Sequence, residues 1–179
     1  SGAGDIVYVL PGHTESISTA DFFTNLVAGT QIISAGRPGA SNNPTFTWTA
    51  TTSTFLLDVA DVVLSGLTFD LGGANAVVAP ITVTGAGCAI VGCHIIAGTS
   101  AALESTTCVT VSTAAHNFSF AANRMSATGG AVTTAMVSVA AAVARCSIVG
   151  NRFFTTQSAA TTGVIAVGAA ATELDIGWN

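Results

Sequence analysis

A repeat of about 28 residues runs through almost the whole of this 179-residue sequence. An apolar residue closes one short strand in each repeat, at successive spacings of 30, 26, 28, 28 and 28: Val27, Leu57, Val83, Val111, Val139 and Val167. A second column follows it by 9 to 11 residues: Gly36, Gly66, Gly92, Ala122, Gly150 and Gly177. Sequence periods of about 20 to 50 residues are typical of solenoids. The repeat therefore limits the chain to stacked, nearly equivalent coils.

Within each repeat, apolar residues alternate with small or polar ones over three to eight residues, as in Cys88–Ile95 and Val164–Val167. Period-two runs rich in Val, Ile, Thr and Phe, bounded by Gly or Asn, predict short β-strands. The nearest rival is residues 19–27, where Asp21 would begin one short helix. The segment around Phe22, Phe23 and Leu26 is expected to cover the first coil, and Trp178 the last.

The fold predicted from this pattern is all-β: a single-stranded, right-handed parallel β-helix of about six coils. The right-handed sense is expected because parallel crossovers almost always have it. We expect one domain over 1–179, with residues 1–30 as the N-terminal cap and first coil and 168–179 as the last coil and C-terminal cap. Two inward-facing columns follow from the repeat: Val62, Cys88, Phe118 and Cys146, and Leu64, Ile90, Phe120 and Ile148.

The composition limits the classes of function. Half of the residues are hydrophobic but only 7% are charged, and the net charge of −5 comes with four Arg and no Lys. This balance argues against a basic nucleic-acid surface, and no stretch is long and apolar enough for a transmembrane helix. A surface so poor in charge suits either a compact uncharged solenoid or, as we favour, one with a face buried in an oligomer or larger assembly.

Cysteine and acid placement predicts no catalytic or metal site. Cys88 and Cys146 fall two coils apart in one inward column, too far for a disulfide, so the cysteines are expected to be small core residues. A metal site from Cys93, His94 and His116 matches no zinc spacing. Polysaccharide-cleaving solenoids need carboxylates clustered on one face, and the nine acids here do not recur along one column. We therefore expect no enzyme activity and no cofactor.

One outward polar column lies two residues after successive corners: Thr68, His94, Arg124 and Arg152. Two arginines one coil apart repel each other unless an anion or carboxylate lies between them. Either the pair is splayed into solvent, or this column contacts another subunit or a capsid, since Arg suits carboxylate recognition. We take the column as the candidate contact site.

The N-terminal segment Gly4–Gly12, followed by His13–Ile17, resembles the opening coil of pectate-lyase-like right-handed β-helix proteins. Ser34–Gly39 resembles their second coil, and Ile148–Phe153 resembles their later Gly-Asn-x-Phe corners. The likeness is greatest to the small β-helix proteins of tailed bacteriophages. It implies a virion structural protein of the capsid decoration (cement) type, a homotrimer bound to the major capsid protein on the outer surface of the capsid.

Two other functions stay open at this point. One is a tail spike or tail fibre domain that binds or cleaves host polysaccharide, which would need a groove with aromatic residues and acids. The other is an ice-binding solenoid, suggested by threonine rows such as Thr45–Thr49, although these rows do not recur at the same offset in every coil.

Overall fold

A computed structural model describes residues 4–23, 25–36, 42–73, 77–98, 105–127, 132–155 and 163–178. Its strands in chain order are β1 Ile6–Val9, β2 Thr14–Ile17, β3 Gln31–Ser34, β4 Thr45–Trp48, β5 Phe55–Leu57, β6 Val63–Ser65, β7 Thr68–Asp70, β8 Ile81–Val83, β9 Ala89–Val91, β10 His94–Ile96, β11 Ser105–Val111, β12 Ser119–Ala121, β13 Arg124–Ala127, β14 Val132–Val139, β15 Ser147–Val149, β16 Arg152–Thr155, β17 Ile165–Val167 and β18 Asp175–Gly177. A single 3-10 turn, Leu71–Gly73, is the helical element of these ranges, and none of their helices could cross a membrane. The short helix considered for residues 19–27 is not formed in the described part of that segment.

The strands form three parallel sheets, and neighbouring strands in each sheet come from successive coils. The first sheet has the order β1-β3-β6-β9-β12-β15-β18, the second β2-β4-β7-β10-β13-β16, and the third β5-β8-β11-β14-β17. This arrangement confirms the predicted all-β parallel solenoid with about 28 residues per turn. The chain makes about five turns rather than six, because the coils at the two ends do not contribute a strand to every sheet. The right-handed sense stays a prediction.

The core is built from the inward columns that the repeat predicts. The register pairs Ile32 with Leu64, Leu64 with Ile90, Ile90 with Phe120, and Phe120 with Ile148, and these side chains are all fully buried or nearly so. Equivalent positions meet directly because parallel strands about 4.8 Å apart stack without offset. Each coil therefore buries the apolar row of the coil beside it.

All four cysteines are free and buried, which confirms their prediction as core residues. Burial raises the pKa of the Cys93 and Cys108 thiols to about 12, since the low-dielectric interior disfavours the thiolate. The metal site considered from Cys93 is not assembled, and no group of three potential metal ligands occurs in the described ranges.

The corners before the second sheet have the left-handed backbone that a sharp turn requires. Gly66, Gly92 and Gly150 have φ values of 68°, 62° and 64°, and Ala122 takes the same conformation at 54°. Glycine adopts this region without a steric penalty, whereas alanine pays one. Three coils thus use the expected glycine, and the fourth has a strained alanine.

The two ends of the solenoid differ from the middle coils in burial. Phe22 and Phe23 pack against the core at the N-terminal end, as predicted. The expectation that Trp178 covers the last coil is wrong, because its side chain is 95% exposed. Val7 and Ile176, the first and last members of one inward column, are 47% and 44% exposed. Both ends therefore leave part of the apolar interior open.

Candidate contact surface

The predicted polar column is a continuous row on the outer face of the second sheet. The register pairs His94 with Thr68 on β7 and with Arg124 on β13, and pairs Arg124 with Arg152 on β16. The structure thus brings all four side chains of the sequence-based site into one line. Their role in contacting a partner stays a prediction.

The local sequence explains why this row faces outward. Each of these residues precedes a core residue, and successive side chains of a strand point to opposite faces of the sheet. Phe69, Ile95 and Met125 fill the inner face and are fully buried, so their preceding neighbours must face solvent. Arg124 and Arg152 are exposed, whereas Thr68 and His94 are half-buried among their neighbours.

The two arginines make this end of the row strongly cationic. Neither has an acidic partner within ion-pair distance among the described residues, where the ion pairs are Arg145 with Glu173 at 3.9 Å and His13 with Glu15 at 3.7 Å. Two unit charges about 5 Å apart in water repel by about 1 kcal/mol. A carboxylate placed between the guanidinium groups would remove this repulsion and could accept hydrogen bonds from both.

His94 lies next to the arginine pair. Burial, and then the positive charge of Arg124, lower the pKa of its imidazole from the ordinary value. The imidazole Nε2 lies 3.5 Å from the Ser126 hydroxyl. The histidine is therefore held in its neutral form over a wider pH range than a free imidazole, and it adds a hydrogen-bonding group rather than a charge to the row.

Two buried asparagines, Asn123 and Asn151, hold the corners from which the arginines project. The Asn123 Oδ1 accepts a hydrogen bond from the Cys93 backbone N–H at 2.9 Å, and its Nδ2 donates to the Ile90 carbonyl at 2.9 Å. The Asn151 Oδ1 accepts from the backbone N–H and the Nδ2 of Asn123, at 2.9 and 3.0 Å, and the Asn151 Nδ2 donates to the Phe120 carbonyl at 2.8 Å. This asparagine ladder fixes three successive corners against one another.

Sequence reasoning treated the Gly-Asn corner as a turn signal and missed its role between coils. The available signal was the recurrence of Asn-Arg at a spacing of 28 residues, at 123–124 and 151–152. An asparagine that repeats with the coil period can bond to the equivalent corner of the next coil, as well as within its own turn.

Several described acids belong to turns. The Asp70 Oδ1 accepts a hydrogen bond from the Gly72 N–H at 3.0 Å, and Asp61 has a positive φ of 60° at its corner. Both arrangements are usual for aspartate at sharp turns. Glu104 and residues 37–39 of the second-coil motif lie outside the described ranges.

A second feature, an apolar groove at the N-terminal end, was not predicted. It has a volume of about 360 Å³ and is lined by Val7, Tyr8, Val9, Leu10, His13, Glu15, Phe22, Phe23, Ile32 and Phe46. Sequence reasoning treated Phe22 and Phe23 only as a cap. The groove forms because β1, β2 and the segment around Phe22 converge at the open end of the core.

Comparisons of this chain with protein-family models, with curated proteins and with solved structures found no match.

Proposed function

We propose that this chain is a non-catalytic structural protein that acts by contact. In the setting implied by its sequence resemblance, it is a capsid decoration protein that binds the outside of a phage head as a homotrimer and stabilises the shell. The observation that carries the proposal is the outward row on the second sheet, in which two neighbouring guanidinium groups have no acidic partner among the described residues.

The row supports a contact role because its charge is concentrated in a chain that has very little. Arg124 and Arg152 are half of the four cations in the sequence. They are aligned on adjacent strands, where a pair of carboxylates on a partner would meet both at once. Such charge-assisted contacts are among the stronger polar interactions at protein surfaces.

The outer face of the first sheet supports packing against another copy. From β3 to β15, its half-buried outward positions hold no charged side chain: Gln31, Ile33, Val63, Ser65, Ala89, Val91, Ser119, Ala121, Ser147 and Val149. These uncharged side chains, most of them Ala, Ser or Val, make a regular surface onto which a second sheet can pack at about 10 Å. Charge depletion is typical of the centre of protein–protein interfaces.

The setting is tested by immunogold electron microscopy of particles from the source, with an antibody against this chain. The proposal predicts label spread over the heads. Label confined to the tail would support a tail spike or tail fibre domain instead and would lead to assays on host polysaccharide. Particles without label would refute a virion role.

The contact surface is tested by Arg124→Gln, with Arg145→Gln as the matched control. Arg145 is an exposed arginine away from the row, and its Nε donates to the Asn117 Oδ1 at 2.6 Å. We expect Arg124→Gln to leave the chain folded, with an unfolding midpoint equal to or slightly above that of the wild type because the repulsion with Arg152 is removed. The same variant should bind stripped particles about tenfold more weakly, the loss expected for one charge-assisted contact. The control should change binding less than about twofold.

Sedimentation velocity of both variants tests the homotrimer, which the proposal predicts for the wild-type chain and the control. Equal particle binding and equal oligomer mass for the two variants would show that this row is not the contact surface.

A further inference from the structure

Glu15 is an exception in an otherwise apolar inward column. The column runs along the second sheet through Glu15, Phe46, Phe69, Ile95, Met125 and Phe153. Every other member is a large apolar residue, and four of them are at least 97% buried. Glu15 therefore departs from the apolar pattern of its own column, and such departures from local packing are expected at functional sites.

Glu15 lines the N-terminal groove, where most of the walls are apolar. Its side chain is 42% exposed, and its Oε2 lies 3.7 Å from the Nε2 of His13, which also lines the groove. The ring of Phe22 lies 6.3 Å from that of Phe46 in an edge-to-face arrangement and 4.9 Å from that of Phe23. The His13 ring lies 6.0 Å from that of Phe46. The groove volume of about 360 Å³ is at the low end of the range typical of small-ligand sites.

We propose that this groove binds an alkylammonium group, with the cationic nitrogen at Glu15 and the carbon stem along the aromatic and aliphatic walls. The carboxylate selects a positive charge, and the faces of aromatic rings attract organic cations through their quadrupole. The apolar walls disfavour a hydrated inorganic ion but gain from covering methylene groups. This inference does not depend on the virion setting or on the arginine row.

A rival explanation is that Glu15 protects an open end. Charged residues that point inward on an edge strand prevent the strand from pairing with another chain, and β2 is an edge of the second sheet. The two explanations differ in what removal of the charge does. If Glu15 binds a ligand, removing its charge weakens the binding of that ligand; if it protects the open end, removing its charge promotes self-association of the chain.

The test is a titration of the whole chain with hexylammonium, followed by methyl NMR. Shifts are expected at the methyl groups that line the groove, on Val7, Val9 and Ile32, and not at Ile176 at the opposite end. Hexanol, which has the same stem without the charge, should bind at least about tenfold more weakly, because it lacks the charge-assisted contact. Nα-acetyl-lysine methylamide and choline, titrated in parallel, distinguish a partner's lysine side chain from a small trimethylammonium compound.

The deciding variant is Glu15→Gln, with Glu173→Gln as the matched control at the other end of the solenoid. We expect Glu15→Gln to weaken hexylammonium binding by about tenfold and the control to leave it unchanged.

Three results would overturn the proposal. One is the absence of chemical-shift changes at the methyl groups of the groove up to the solubility limit of the amine. Another is equal affinity for hexylammonium and hexanol. The third is a Glu15→Gln variant that binds hexylammonium as the wild type does but sediments as a larger species, which would assign Glu15 to protection of the open end.

Discussion

Replacing Asn123 with alanine tests whether the asparagine ladder is a main source of stability for the later coils. The Asn123 side chain is 1% exposed and satisfies two backbone groups of the preceding coil, the Cys93 N–H and the Ile90 carbonyl. It also donates to the Asn151 Oδ1. Alanine removes all three hydrogen bonds and puts no polar atom in their place.

The expected cost follows from the hydrogen bonds that the substitution removes. A buried donor without a partner costs about 1 to 3 kcal/mol, and one is created, at the Cys93 N–H. The other two lost hydrogen bonds, to the Ile90 carbonyl of the paired strand β9 and to Asn151, add about 1 kcal/mol each. We therefore expect the free energy of unfolding to fall by about 4 kcal/mol. For a domain of this size, that corresponds to a decrease in Tm of about 8 to 16 °C.

Urea unfolding, monitored in a Trp178→Phe background by far-UV circular dichroism and by Trp48 fluorescence, measures this loss and locates it, because the exposed Trp178 would otherwise add a signal from the C-terminal end. Trp48 is fully buried in the early coils, whereas Asn123 lies in the later ones. Since coils of a solenoid are stabilised by their neighbours, the circular dichroism transition of the variant should precede that of Trp48. Asn117→Gly is the control, because it removes an exposed asparagine while keeping its positive φ of 58° accessible. The reasoning is refuted if Asn123→Ala costs less than about 1 kcal/mol, or no more than the control.

Two further predictions concern the same region. At the corners, Ala122→Gly should stabilise the fold by about 0.5 to 1 kcal/mol and Gly92→Ala should destabilise it by the same amount, because the left-handed backbone costs alanine more than its lower unfolded-chain entropy contributes. A Cβ at Gly92 would have no atom within 4 Å, so a clash does not enter this comparison. The reasoning would be wrong if both variants moved the urea midpoint in the same direction. For His94, Arg124→Gln should raise the imidazole pKa in an NMR titration, since one of its two depressing causes is removed. The depressed pKa means that the unfolded chain binds more protons, so wild-type stability should fall as the pH decreases through about 6.5. A pKa of His94 unchanged in the variant would exclude the influence of Arg124.

The stacking of the middle coils could be predicted from sequence because one period governs it. When residues such as Leu64, Ile90 and Phe120 recur with the coil length, parallel pairing without offset makes them neighbours. The outward row followed from the same argument, since Arg124 and Arg152 occupy equivalent positions after equivalent corners. In these coils, the register depends on the repeat alone.

The ends and the asparagine ladder could not be predicted in this way. The groove depends on the segment around Phe22 and Phe23, which lies outside the paired strands, and so the columns of equivalent positions do not reveal it. Asn123 was missed for a different reason: its backbone partners in the preceding coil are visible only when the corner is built in three dimensions. A periodic pattern identifies which residues stack, but it does not identify which backbone groups need a side chain.

The low charge of the chain makes its few charged side chains more informative than they would be on an ordinary surface. Where charges are abundant, most surface ion pairs contribute little. Here charged residues are 7% of the chain. Two of them, Arg124 and Arg152, face the same way on neighbouring strands, and a third, Glu15, lines the largely apolar groove at the N-terminal end. The repulsion between Arg124 and Arg152 opposes folding. The partial burial of Glu15 opposes it as well, and the exposed ion pair with His13 offsets little of that cost. Arrangements that cost stability are best explained by what they bind, and the arginine row and the groove are therefore the two places where a partner should be sought.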